Sequence, residues 1–182
     1  YPVGCCGGRA DAGFFRQRTH EIIPISHCRI QSASADAVRE AVITWMRRCR
    51  VSPYDETSGT GLVRHIFVRC GFGSGQVLAC VVANGKKLPQ EEVLVQMLRQ
   101  CVPELTTVVL GVNTRRGNAV LGEQFRTLWG PGYIEDVLCT LRFRLSPRSF
   151  YQVNRAQAER LYQRAIELAA LDSGKIVLDL YC

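Results

Sequence analysis

The sequence predicts an α+β domain over residues 1–147, joined over residues 148–182 to the first helix and first strand of a parallel α/β domain. Three observations carry this. Up to residue 147, strand-like stretches are interrupted by only two helical periodicities. The pattern then changes to one long amphipathic helix. Directly after it comes Ile176-Val-Leu-Asp-Leu-Tyr-Cys182, a nearly unbroken apolar run of the kind shown by a strand buried on both faces.

The elements follow in order. Tyr1-Pro-Val-Gly4 reads as a strand met midway, and Gly7-Gly8 to Gly13 as a turn-rich stretch. Strands are expected at 14–18 and 21–25. Ser34 or Asp36 can cap a helix running to about Cys49, because Ala37, Val38, Ala41, Val42, Trp45 and Met46 recur at helical spacing. Strands at 62–69 and 76–84 suit an antiparallel hairpin around Gly71-Phe-Gly-Ser-Gly75. That loop lacks the strand-to-helix setting of a phosphate loop and reads as a turn.

Pro89-Gln-Glu-Glu92 opens the second helix, with proline in its first turn and acids near its positive end. Val93, Leu94, Met97, Leu98 and Cys101 should face inward. Further strands are expected at 106–113, 119–122, 133–137 and 141–145. Asn154 and Gln157 then form a capping pair for a helix whose apolar face is Ala158, Leu161, Tyr162, Ala165, Ile166 and Ala169. The strand expected after it needs parallel neighbours, which need crossovers of a dozen or more residues. None follow Cys182, so the second domain reads as cut short, and the abrupt start makes the first read as incomplete at its N-terminus.

The composition, 47% hydrophobic and 21% charged, is that of a folded globular chain. With 23 Lys+Arg against 16 Asp+Glu, the formal net charge is +7. Arginine supplies most of the positive charge, and its planar, bidentate guanidinium favours a nucleic-acid partner over what lysine alone would imply. Nine cysteines without a secretory leader, several inside apolar runs, point to a reduced, cytoplasmic protein rather than a disulfide scaffold. No apolar stretch approaches membrane-spanning length.

The chemistry sits near the C-terminus. In doubly wound sheets the ligand lies beyond the carboxyl ends of the strands. An apolar strand with one acid and an aromatic at its tip, as in Val177-Leu-Asp-Leu-Tyr-Cys182, suits the first strand of many S-adenosylmethionine-dependent methyltransferases, or of any βα protein with a buried first strand. The segment Leu145-Ser-Pro-Arg-Ser-Phe-Tyr-Gln-Val-Asn154 stands upstream of it. Together with Gly13-Phe-Phe-Arg-Gln-Arg18, Ile25-Ser-His-Cys-Arg-Ile-Gln31, Leu62-Val-Arg-His-Ile-Phe-Val-Arg69 and Arg126-Thr-Leu-Trp-Gly130, these stretches resemble, in the same order, the RNA uracil-5-methyltransferases. The branch that modifies 23S ribosomal RNA looks nearest.

That resemblance implies a central α+β domain leading into a truncated Rossmann-like methyltransferase domain, with S-adenosylmethionine as cofactor and RNA as substrate: 23S rRNA first, tRNA as the alternative. It implies that Gln152 and Tyr181 contact the cofactor and that Phe150 stacks beside a flipped-out uracil. Plainer roles stand beside these: a hydrogen bond at a helix start for Gln152, core packing for Phe150 and Tyr181. Cys28 matches the last of four cysteines that hold a [4Fe–4S] cluster in iron–sulfur members. The other three, in a Cys-x5-Cys-x2-Cys spacing, do not occur here, and Cys5-Cys6 does not supply them. A zinc site from Cys5, Cys6, His27 and Cys28 has poor ligand spacing.

The family's reaction adds a cysteine thiolate to C6 of uracil, which makes C5 nucleophilic towards the methyl group, and a carboxylate then removes the C5 proton. The Ser-Cys-Asn-Pro segment of the nucleophile and the His-Thr-x-His-x-Glu-like segment of the base are both missing from these 182 residues. The chain by itself is therefore expected to be inactive. From a different class, a non-catalytic RNA-binding module would use Arg64, Arg69, Arg115 and Arg116 on phosphates, and an inactive remnant is the third possibility.

Overall fold

A computed structural model describes residues 1–178 and 180. Its centre is a mixed four-stranded sheet. β4 (Val63–Cys70), β5 (Val77–Ala83), β6 (Leu105–Val112) and β7 (Gln124–Trp129) lie in that spatial order; they follow a small sheet of β1 (Val3–Cys6), β2 (Arg9–Phe15) and β3 (Ile22–Pro24). β4 and β5 form the expected antiparallel hairpin, and β5 pairs parallel with β6.

β5 is buried on both faces, all seven side chains included. Val77, Ala79, Val81 and Ala83 join one core and Leu78, Cys80 and Val82 another, as period-two alternation requires. The first core is closed by α1 (Ala33–Arg48) and α2 (Glu91–Cys101), the crossover that makes β5 and β6 parallel. The second is closed by the hairpin of β8 (Ile134–Leu138) and β9 (Leu141–Leu145) through Ile134 and Leu145, with Tyr151 against it. α3 (Arg155–Ala169) follows.

Both early helices bury most of what periodicity assigned to them, with Ala37, Val93 and Met97 half-buried. Val38, Ala41, Val42, Trp45 and Met46 of α1 are inside, as are Leu94 and Leu98 of α2. Cys101, expected inward, is exposed at the end of α2. α1 is capped by Ser32 rather than Ser34 or Asp36, its hydroxyl accepting from the Ala35 N–H at 3.1 Å. Asp36 is occupied elsewhere, accepting from the Tyr1 hydroxyl and the Cys28 N–H.

Three expectations fail for identifiable reasons. The stretch from Gly7 to Gly13 is mostly β2: only Gly7 and Gly8, at φ +55° and +77°, form the turn, the left-handed pair a tight hairpin needs. The strand predicted at 119–122 is a loop, because the Asn113 amide donates to the carbonyls of Ala119 and Val120 and takes them out of any ladder. The strand beside β6 starts at Gln124 instead, an edge strand polar enough to hide from a hydrophobicity pattern. Last, Ile176, Val177 and Leu178 are exposed and form no strand; a strand needs a partner, and none lies beside them among the described residues. The remainder of that predicted strand includes Asp179, Tyr181 and Cys182, which lie outside the described residues.

Among the described residues no helix is long and apolar enough to cross a membrane. Leu98→Ala should cost about 2–5 kcal/mol, the transfer and cavity cost of a buried leucine, and equilibrium denaturation of the chain measures it.

Candidate functional site

The site is built on the segment between β9 and α3, and its anchor is a buried carboxylate. In β8, Ile134, Asp136 and Leu138 share the inward face, and Asp136 is fully buried. One of its oxygens accepts the backbone N–H groups of Gly73 and Ser74 at 2.7 and 3.1 Å; the other accepts the Tyr151 hydroxyl at 2.9 Å. The glycine-rich loop thus does present donors to an anion, but the anion is the protein's own side chain. This fixes the loop as the turn the sequence suggested, with those two donors already taken.

Burial, reinforced by the bond to Asp136, pushes the Tyr151 phenol up to about 12. A second anchor comes from Arg69, whose guanidinium donates to the carbonyls of Ser149 and Pro147 at 2.8 and 3.4 Å while lying over the Phe67 ring. The Ser149 hydroxyl accepts the Ser146 N–H at 3.0 Å. At the far end the Asn154 side chain accepts the Gln157 N–H, the capping bond expected from sequence.

Phe150 and Gln152 stand between these fixed points. Phe150 is 86% exposed, which excludes core packing among the described residues. Gln152 is exposed too, and Asn154 makes the helix-start bond that was its plainer role. Both line a groove of about 810 Å³ between the β8–β9 hairpin and α3, with Phe143, Tyr162, Ile166 and Val177 among its walls. The predicted apolar face of α3 borders it. Of that face only Ala158 is buried, while Leu161 and Ile166 are 61% and 60% exposed. The groove's size and mostly apolar lining, with the Gln152 amide at its edge, fit a small organic ligand that needs a few polar contacts.

The other assigned residues do not converge here. Tyr181 lies outside the described residues. Cys28 is buried, its N–H donating to Asp36 at 3.1 Å. Among the described residues no group of three or more His, Cys, Asp or Glu side chains could hold a metal, so Cys28 does not fit an iron–sulfur or zinc site within them.

The four arginines assigned to phosphates divide. Arg64 is 2% exposed, stacked on Tyr54, paired with Glu56 at 2.8 Å and donating to the carbonyls of Asn113 and Arg115. Together with Arg69 it is a brace rather than a contact surface. An arginine at an inward-facing strand position cannot be told from a surface one by composition. Arg115 and Arg116 are exposed. Sequence reasoning missed Asp136 and Tyr151, although an acid at a core-facing position of an alternating strand is a readable signal.

No family model matches the chain. Over 181 residues it is 40% identical to an uncharacterized RNA methyltransferase of Caldanaerobacter subterraneus subsp. tengcongensis, covering 100% of this chain and 40% of that protein. Over 181 residues it is 36% identical to one of Clostridium acetobutylicum, covering 100% and 39%. The chain thus spans about two fifths of the length of these relatives. The fold matches the crystal structure of Pyrococcus abyssi tRNA (uracil-54, C5)-methyltransferase in complex with S-adenosyl-L-homocysteine, with a TM-score of 0.73 over 92% of this chain and 40% of that one. At 20% identity this likeness concerns the fold. From sequence and fold together, the chain is similar along its length to a segment of RNA methyltransferases.

Two outcomes test the anchors. The fold favours the neutral Tyr151 phenol, so its stabilising contribution is complete below the ordinary tyrosine value of 10 and is lost as pH rises towards about 12. Tyr151→Phe should therefore flatten the fall of stability across that window, measured by denaturant unfolding at stepped pH. Arg64→Ala strands a carboxylate and two carbonyls and should cost about 3–5 kcal/mol, whereas Arg115→Ala, at an exposed ion pair, should cost under about 1 kcal/mol; thermal unfolding separates the two.

Proposed function

We infer that the chain is a segment of an S-adenosylmethionine-dependent RNA methyltransferase acting on C5 of a uridine, with 23S rRNA its substrate ahead of tRNA. The observation that carries this is the placement of Ser149–Asn154: all four of Ser149, Phe150, Tyr151 and Gln152 line the groove, with Ser149 and Tyr151 pinned by hydrogen bonds and Phe150 and Gln152 exposed. The relatives' descriptions as RNA methyltransferases support the reaction class. The uracil position rests on the resemblance of that segment to the uracil-5-methyltransferases.

In this reading residues 1–147 form the domain that helps hold the RNA, and residues 148–182 open the cofactor domain. S-adenosylmethionine, when bound, supplies the electrophilic methyl group. Gln152, with a donor and an acceptor on one planar amide, orients the cofactor or reads the base edge. Phe150 offers its ring as a stacking platform for an extruded base, at little conformational cost because its backbone is held on both sides. Tyr181 is assigned to the cofactor by the same resemblance. The nucleophilic cysteine and the carboxylate base are assigned to segments that these 182 residues do not contain. The non-catalytic RNA-binding reading draws on the same exposed arginines and differs in needing no cofactor.

Reading the coding DNA on both sides of this segment should reveal Ser-Cys-Asn-Pro and a His-x-x-His-x-Glu-like segment in frame. A protein that carries those segments as well, given RNA and methyl-labelled S-adenosylmethionine, should then produce 5-methyluridine, and the 182-residue chain by itself should not. Phe150→Ala should weaken base binding by roughly 1–3 kcal/mol, and Gln152→Ala should raise the KM for the cofactor roughly tenfold. Absence of labelled 5-methyluridine from every RNA offered would sink the enzyme reading.

A further inference from the structure

We propose that a second cavity, beyond the carboxyl ends of β5 and β6, is a phosphate-binding subsite for the RNA strand beside the extruded base. The proposal rests on the function inferred above and adds to it a specific surface. Register places the residues. Val63, Ala83, Val112 and Gln124 lie side by side at one edge of the sheet, so the loops after β5 and β6 open together there. Between them lies a cavity of about 600 Å³ whose wall includes Lys86 after β5, Arg115 after β6, and Arg148 from the segment before α3. Three cations thus arrive from three separate parts of the chain.

The cavity wall is rigid where it needs to be. Asn113, 4% exposed, ties the loop across to Ala119 and Val120, and the buried Arg64 holds the carbonyls of Asn113 and Arg115. At Gly122 an added Cβ would sit 1.7 Å from the Val112 carbonyl oxygen, so the close approach that closes the loop demands glycine. The buried arginine therefore serves the cavity by shaping backbone, which leaves the exposed cations free to face outward.

Their electrostatics suit an exchangeable anion. Glu123 is the carboxylate in the cavity wall, and it pairs with Arg115 at 2.8 Å. Both side chains are largely in water, at 77% and 63% exposure, so the pair is weak and a phosphate can take its place. Lys86 and Arg148 have no carboxylate within ion-pair distance among the described residues, so two cations face solvent uncompensated. Arginine offers a fork matched to phosphate oxygens, and lysine a compact charge.

Position relative to the groove argues for nucleic acid over an acidic protein. Arg148 lines the cationic cavity and Phe150 lines the apolar groove, yet one residue separates them and their Cα atoms are at most roughly 7 Å apart. A cation and an exposed aromatic at that separation match a ligand that carries charge and a flat apolar ring in each repeating unit, as a single RNA strand does.

The test is fluorescence anisotropy of a labelled, uridine-containing single-stranded RNA titrated with the full protein at several salt concentrations. The variants are Lys86→Ala/Arg148→Ala together, Phe150→Ala, and Arg48→Ala as a single positive charge removed outside the cavity. The double variant should bind roughly tenfold or more weakly, and its log K against log salt should be shallower by about 1.4, two phosphates at about 0.7 each on a single strand. Arg48→Ala should match the unmodified protein, and Phe150→Ala should lower affinity with the slope unchanged. All three cations are exposed, so an unchanged melting temperature will show that the fold is intact. Unchanged affinity and slope in the double variant, with Phe150→Ala still weakened, would overturn the subsite and leave the function standing. Failure of the unmodified protein to bind RNA would overturn both. Equal competition by polyglutamate of matched charge would reassign the cavity to acidic protein and overturn it as well.

Discussion

Everything in this chain is arranged around a strand that has no solvent side. β5 contributes one set of alternating residues to the helix-covered core and the other to the core under the β8–β9 hairpin. A strand buried in this way must be covered on both faces. α1 and α2 do this on one face. On the other face the cover is a two-stranded hairpin and a tyrosine, a much thinner layer. The candidate site lies along that thin layer, so its geometry cannot be separated from the closing of the second core.

Asp136 is what makes the thin layer definite. A carboxylate with no exposure is costly unless its lone pairs are used, and here three donors from two distant loops use them. The arrangement is selective in a way apolar packing alone is not: shifting β8 by one residue would turn Asp136 outward and strand all three donors. Arg64 and Arg69 work by the same logic, each spending its guanidinium on backbone carbonyls of a loop that needs a fixed path. The arginines named here thus divide into an internal set that shapes loops and an external set that stays exposed.

That division explains what could and could not be read from the sequence. The two early helices, the β4–β5 hairpin and the capping of α3 by Asn154 were legible, because each follows from local periodicity or a short-range side-chain bond. β7 was not, since an edge strand with polar residues carries little hydrophobic signal and owes its place to β6. The roles of Arg64 and Arg69 were misassigned because position on a strand does not reveal which residues 51 or 80 places away supply the acceptors. Phe150 and Gln152 were singled out through a segment resemblance; the structure shows them exposed beside neighbours that are held. Tyr151, between them, was overlooked although it does the holding.

The alternation within Ser149–Asn154 bears directly on how the site would act. A loop that orders itself around a ligand spends binding energy on that ordering, and an aromatic on a free loop is a poor platform for the same reason. Here the ordering is already done by contacts within the protein: Arg69 on the Ser149 carbonyl, Asp136 on the Tyr151 hydroxyl, Asn154 on the first turn of α3. None of these consumes a group that a ligand would use. Phe150 keeps an exposed ring, and among the described residues the Gln152 amide makes no hydrogen bond, on backbone whose neighbours are held. The fixed contacts fall on Ser149, Tyr151 and Asn154 while Phe150 and Gln152 stay uncommitted, which lowers the ordering cost for any ligand that docks there.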